Sequence, residues 1–171
     1  MLRKAMVIAA LLLLPTVASA QIRGPFELTF GASAVNSSRF DGFSAAGSAA
    51  VGYFITDALE LSVRQTLTYD DVVSPRILDA STAGAVDLHF PLGERNEFLP
   101  FVGLNIGYIY GSGVRNTWEA APEGGLKYFV NNTTFLFVQV EYQFFFRKSS
   151  GIGNGFKDGQ FVYTGGIGFR F

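Results

Sequence analysis

The sequence predicts an all-β protein, an eight-stranded antiparallel transmembrane β-barrel of the up-and-down type. Three observations predict it. From Gln21 onward the apolar residues recur with period two, the spacing of a strand with one apolar face, and not with the 3.6 of a helix. The chain carries 18 Phe, 7 Tyr and 20 Gly, yet no apolar stretch after Leu14 is long enough for a membrane-spanning helix, which needs about 20 residues. The connections between candidate strands alternate between short and longer.

The first residues read as a processing segment. Arg3 and Lys4 form a basic start, Ala5 to Leu14 an apolar run, and Ala18-Ser19-Ala20 a small-x-small cleavage pattern. A cleaved signal peptide over 1–20 is expected, leaving 21–171 as one barrel domain. Loss of Arg3 and Lys4 takes the formal charge from −1 to −3. That balance argues against a nucleic-acid partner, which needs a basic face. There is no cysteine, so closure must come from strand pairing and not from disulfides.

Eight strands are expected at about 25–35, 44–54, 58–69, 81–90, 98–110, 117–130, 133–147 and 159–171. The last shows the alternation best: Phe161, Tyr163, Gly165, Ile167, Phe169 and Phe171 share one face, and Gln160, Val162, Thr164, Gly166, Gly168 and Arg170 the other. The strand before it sets Leu136, Val138, Val140, Tyr142, Phe144 and Phe146 against Phe135, Phe137, Gln139, Glu141, Gln143 and Phe145. A ten-residue strand rising about 3.3 Å per residue and tilted near 40° crosses roughly 25 Å, the height of a bilayer's apolar band.

The short gaps at 55–57, 91–97 and 131–132 carry turn residues such as Asp57, Pro91-Leu92-Gly93 and Asn131-Asn132. The others, at 36–43, 70–80, 111–116 and 148–158, are generally longer and richer in Gly, Ser, Asp and Asn. An even strand number places both termini on the side of the short turns. Phe54, Tyr69, Phe90, Phe98, Tyr108, Tyr110, Trp118, Tyr128 and Phe171 collect near strand ends and read as two aromatic girdles.

A soluble barrel alternates too, with its apolar face inward. Here the apolar-face positions are too many and too bulky for an eight-strand interior, while the opposite face is rich in Gly, Ala, Ser and Thr. The apolar face is therefore expected to meet lipid.

Three segments resemble the small outer-membrane barrel superfamily of OmpA-type, OmpX-type and Opa-like proteins. The ending Gly165-Gly166-Ile167-Gly168-Phe169-Arg170-Phe171 is similar to the signal read by the barrel-assembly machinery, with Tyr163, Ile167, Phe169 and Phe171 at alternate positions. Leu99-Pro100-Phe101-Val102-Gly103 resembles the family's strand after the middle turn, and Glu123-Gly124-Gly125-Leu126-Lys127-Tyr128-Phe129 its sixth strand. The resemblance implies a bacterial outer-membrane location with both termini periplasmic. It implies partners in outer-membrane lipid, lipopolysaccharide and the assembly machinery, a monomer, and no cofactor. It does not specify an activity.

Parity points Glu27, Glu60, Arg64, Asp87, Glu119, Glu123, Lys127, Glu141, Arg147 and Arg170 inward, with His89. Charges inside a barrel are costly unless paired or hydrated, so these residues should form a salt-bridged polar plug. A turn near 131–132 sets Glu123 opposite Glu141, and a cation must lie between them; Lys127 and Arg64 are the candidates. Arg170 and Glu27 should meet where the last strand closes onto the first.

The function expected is a non-enzymatic, structural or surface-interacting envelope barrel, with a narrow gated channel as the alternative. A lipid-modifying enzyme is the weakest reading. His89 is the single histidine, no His-x-Ser pair occurs, and the strand direction sends it to the short-turn end. No metal ligand set stands out. Asp70-Asp71 is an exposed loop pair, and Arg76, Arg115, Arg147 and Lys148 are candidates for contact with lipopolysaccharide phosphates at the rim.

Overall fold

A computed structural model describes residues 24–36, 43–70, 77–111, 116–146 and 160–171. The expected signal segment, Asp71, Arg76, Arg115, Arg147, Lys148 and most of the longer connections lie outside the described residues. The eight strands are β1 (Phe26–Asn36), β2 (Phe43–Phe54), β3 (Leu59–Asp70), β4 (Ile77–His89), β5 (Phe98–Gly111), β6 (Thr117–Phe129), β7 (Thr134–Phe145) and β8 (Gln160–Arg170). Each pairs antiparallel with its neighbours in sequence, and β8 returns to β1 to close the barrel.

Seven strands fall within a few residues of expectation. β4 is the exception, starting at Ile77 and not near 81. Its first four residues, Ile77-Leu78-Asp79-Ala80, pair with the end of β3 through Asp70↔Ile77 and Tyr69↔Leu78. The reading lost them because Asp79 breaks the apolar run; in the barrel Asp79 simply points inward.

The short connections are held by local bonds. After β2, the backbone N–H of Ile55 donates to the Leu59 carbonyl at 2.9 Å, and the Leu59 N–H donates to Thr56 Oγ1 at 3.0 Å. After β6, the Thr134 and Thr133 N–H groups donate to Asn131 Oδ1 at 2.8 and 2.9 Å, an Asx-type turn. Between β4 and β5, Gly93 and Asn96 take positive φ of 92° and 52°, a region that Gly and Asn enter at low cost. These turns and both described chain ends lie at one end of the barrel, where Phe26 and Phe171 exchange backbone hydrogen bonds of 3.0 and 2.9 Å.

Proline marks the one internal break in a ladder among the described residues. The β6–β7 register runs from Phe129↔Phe135 to Glu123↔Glu141, and resumes at Ala120↔Phe144 beyond Pro122. Pro122 has no N–H to give to the ladder and its ring faces outward.

Parity holds along the described strands. Val51, Val63, Leu67, Val102, Leu104, Ile106, Leu136, Val138 and Tyr163 are exposed on the outer surface. Glu27, Glu60, Asp87, Glu119, Glu123, Lys127, Glu141 and Arg170 are buried within. The molecule is thus apolar outside and polar inside, the reverse of a water-soluble barrel.

Candidate functional site

The lumen holds the chemistry-bearing residues, and they fall into layers. At the short-turn end lies an aromatic floor. Phe54 from β2, Leu99 and Phe101 from β5, Phe129 from β6, and Phe135 and Phe137 from β7 all point inward and are buried. The Phe129 and Phe135 ring centroids are 4.9 Å apart, and those of Phe135 and Phe137 are 6.4 Å apart.

Space for these rings comes from glycine on the neighbouring strand. Phe135 pairs with Gly168 and Phe137 with Gly166 across β7–β8, and Phe101 pairs with Gly125 across β5–β6. A Cβ at Gly168 would lie 2.1 Å from Phe135 Cζ, and one at Gly125 would lie 2.7 Å from Phe101 Cε1. The carboxylates are housed in the same way: Asp87 lies over Gly103 and Glu119 over Gly107, each its direct cross-strand partner.

Lys127 stands within the floor. Its ammonium donates to Glu27 Oε1 at 2.5 Å and to Glu60 Oε2 at 2.8 Å. The rings of Phe135, Phe54 and Phe101 surround it at 5.3, 5.5 and 5.5 Å, a cation–π cage. His89 Nε2 is 3.3 Å from Glu60 Oε2, and its ring packs between Phe54 at 5.0 Å and Phe101 at 5.3 Å. Arg170 Cζ lies over the Phe54 ring, 3.4 Å from its centroid, and its Nε donates to the Gly24 carbonyl at 3.0 Å. Two cations and a histidine therefore pack against aromatic faces, with two carboxylates balancing the lysine.

The middle layer is a fork. Arg64 Nη1 and Nη2 donate to the two oxygens of Glu123, both at 3.2 Å, and Nη1 also reaches Glu141 Oε2 at 3.2 Å. Asn105 donates its amide to Glu123, and to Glu141 Oε2 at 3.1 Å. Gln139 Nε2 donates to Glu123 Oε2 at 3.1 Å, and Gln143 Nε2 to Glu141 Oε1 at 2.8 Å. One guanidinium and three amides thus compensate two facing carboxylates in a low-dielectric interior.

Beyond this layer, toward the longer connections, the lumen turns hydroxyl-rich. Ser33, Ser48, Thr66, Thr68 and Thr164 point inward yet stay partly exposed. Glu119 is buried on the opposite wall, and its Oε2 has no hydrogen-bond partner.

The residues singled out in the sequence are mostly brought together here. Glu123 does face Glu141, and Glu27 does face Arg170 across the closing seam. Of the two cations considered for the Glu123–Glu141 pair, Arg64 fills the place and Lys127 does not; Lys127 reaches across the lumen to β1 and β3 instead. Tyr69, Tyr110, Trp118 and Tyr128 stand exposed on the outer surface with Tyr108 half-buried beside them, and Tyr163, Ile167, Phe169 and Phe171 also face outward. Phe54 corrects the expected girdle. It points inward, 5 % exposed, and forms the surface on which Arg170 lies.

Parity sets Phe135 and Phe137 on the inward face of β7 as expected, but their meeting with Phe54, Leu99, Phe101 and Phe129 in one floor has no sequence signature of its own. A signal was present in the run Phe135-Leu136-Phe137-Val138, which is bulky on both faces. Gly166 and Gly168 on the next strand supply the missing volume.

Neither a protein-family model nor a curated protein matches the sequence. Solved structures do match it in shape. The N-terminal β-barrel domain of Pseudomonas aeruginosa OprF is 21 % identical over 88 % of this chain and all of that chain, with a TM-score of 0.64. The outer membrane protein OprG of the same organism is 17 % identical over 89 % of this chain and 98 % of its own, at 0.62. Neisserial surface protein A is 16 % identical over 88 % of this chain and all of its own, at 0.66. With the closed eight-strand order, the apolar exterior and the charged lumen in place, the chain has the fold of the small eight-stranded outer-membrane β-barrels.

Proposed function

We propose that this protein is a non-enzymatic barrel of the bacterial outer membrane, closed to bulk flow, that presents its longer connections at the cell surface. The observation that carries this reading is the filled lumen: six buried apolar side chains, the Lys127 pairs and the Arg64 fork together occupy its cross-section. Eight-strand interiors are just wide enough for side chains to fill. A narrow gated channel would have to displace both the aromatic floor and the ion pairs, so the plugged state is the resting one.

The enzymatic reading has little to work with. His89 is 1 % exposed between two phenylalanine rings at the short-turn end, and the polar side chain beside it is the Glu60 carboxylate, not a hydroxyl nucleophile. In our reading the short turns and both termini are periplasmic, residues 1–20 direct export, and the protein is a monomer. The outward row Tyr163, Ile167, Phe169 and Phe171 on β8 is what the assembly machinery engages. Lipid and lipopolysaccharide surround the exposed aliphatics and aromatics.

Cell fractionation with a heat-modifiability gel tests this. The protein should partition with outer membranes and migrate faster unboiled than boiled. A soluble periplasmic protein with a single mobility would refute the assignment. Planar-bilayer recording on the same material should show no resolved channel steps.

A further inference from the structure

The barrel wall is not closed equally all round. At the β1–β8 seam the register runs from Glu27↔Arg170 to Ala32↔Gly165 and stops, although β1 continues to Asn36 and β8 starts at Gln160. Both strands remain regular on their other edges. β1 stays paired to β2 as far as Asn36↔Phe43, and β8 stays paired to β7 as far as Gln160↔Gln143. Ser33–Asn36 and Gln160–Thr164 therefore present facing backbone edges with no ladder between them among the described residues.

Such edges are not tolerated against hydrocarbon alone, because each unpaired N–H and C=O there costs several kcal/mol. They persist where water or a polar ligand reaches them. The lumen behind this split is the part that can supply it. Inward side chains on β8, β1, β2 and β3, namely Thr164, Ser33, Ser48, Thr66 and Thr68, are partly exposed, whereas Ala83, Ala121, Glu119 and Gln139 opposite are buried. A partly exposed, hydroxyl-lined face of the lumen thus lies directly inside the opening. Its floor is the Phe137 ring, which lies against Gly31 and Gly166. Its outer lips include Phe161 and Tyr163, 59 % and 65 % exposed.

Charge narrows the ligand. The one cation facing this part of the lumen among the described residues, Arg64, is already held by Glu123 and Glu141. Glu119 Oε2 is buried with no hydrogen-bond partner. An anionic headgroup would meet carboxylates; a cationic one would be stabilised by them.

We propose that the β1–β8 split is a lateral portal through which a single-chain amphiphile with an ammonium headgroup enters the lumen from the bilayer. The headgroup lies among the hydroxyls of β8, β1, β2 and β3, facing Glu119 across the lumen, and the chain leaves between the two strand edges past Phe161 and Tyr163. This rests on the reading that the barrel spans a membrane.

The test staples the opening. Ser33 and Thr164 would be the next rung after Ala32↔Gly165, and both point inward. S33C/T164C in the full chain is reconstituted into phosphatidylcholine vesicles and compared reduced and oxidised, with a bis-maleimide as the staple where direct oxidation is incomplete. The probe is a long-chain quaternary alkylammonium carrying a nitroxide at the headgroup, with an alkyl sulfate analogue as control. The reduced protein should immobilise the ammonium probe. Stapling should weaken that binding at least tenfold, and the sulfate probe should show no immobilised component.

Equal binding before and after stapling, equal binding of the two probes, or no binding to reduced barrel that floats with the vesicles and is heat-modifiable would each overturn the portal. A chain that does not float with vesicles overturns the membrane reading itself, and the portal with it.

Discussion

The ring of Phe135 occupies the space over Gly168, its direct cross-strand partner, so closely that a Cβ there would lie 2.1 Å from the ring's Cζ. Phe135 is fully buried, so the ring cannot swing into solvent to make room. Gly168→Ala should therefore overpack the floor and destabilise the barrel by about 1–3 kcal/mol. Gly165 is the internal control, since it lies on the outer face of the same strand, where a Cβ would meet nothing closer than 3.9 Å. Urea unfolding in micelles should show a loss for Gly168→Ala and little change for Gly165→Ala. Equal effects would remove the steric argument.

Lys127 holds two carboxylates at once in a buried, aromatic setting. Lys127→Met takes from Glu27 and Glu60 the cation bonded to both and leaves only Arg170 across the seam, and the expected loss is about 3–5 kcal/mol. The triple variant Glu27→Gln, Glu60→Gln, Lys127→Met removes the charges together and should recover most of that loss. If the triple variant is no more stable than the single one, uncompensated charge is not the cause.

Arg64 should be intolerant of lysine. A guanidinium can serve both Glu123 oxygens and Glu141 together, whereas an ammonium is a point donor on a flexible stem. Arg64→Lys should lower the thermal midpoint, and Arg64→Ala should lower it further. Neutralising the facing acids as Glu123→Gln and Glu141→Gln should soften the Arg64→Ala loss, as a double-mutant cycle would read.

The floor also sets permeability. Phe135→Ala with Phe137→Ala removes two rings from the blocked cross-section. That variant should show small conductance steps in a planar bilayer where the parent shows none. Steps of the same size in the parent would mean that the aromatic floor does not close the lumen.

Much of this was legible from parity alone. A turn at Asn131-Asn132 counts Glu123 onto Glu141, and strand direction brings Glu27 to Arg170, because register in a hairpin follows from turn position. Which cation serves which acid was not legible. Arg64 reaches Glu123 across the lumen, a contact set by barrel closure and not by any hairpin. Parity sets Phe135 and Phe137 inward, but their meeting with Phe54, Phe101 and Phe129 in one floor is not legible, for a related reason. A phenylalanine on a strand looks the same in sequence whether lipid or a glycine on the next strand receives it, and Phe54 shows how strand-end position misleads. The incomplete β1–β8 ladder has no local signature either, since the residues that bound it, Ala32 and Gly165, lie at opposite ends of the chain.

The account depends on which way adjacent residues of β7 point. Val138 stands outward at 61 % exposure, while Gln139 is 9 % exposed and bonded to Glu123. Nitroxides placed singly at these positions in vesicle-reconstituted protein should report opposite environments. The account predicts strong collision with lipid-dissolved oxygen at 138 and shielding from it at 139. The reverse order, or equal accessibility at both, would contradict a barrel with hydrocarbon outside and a polar plug within.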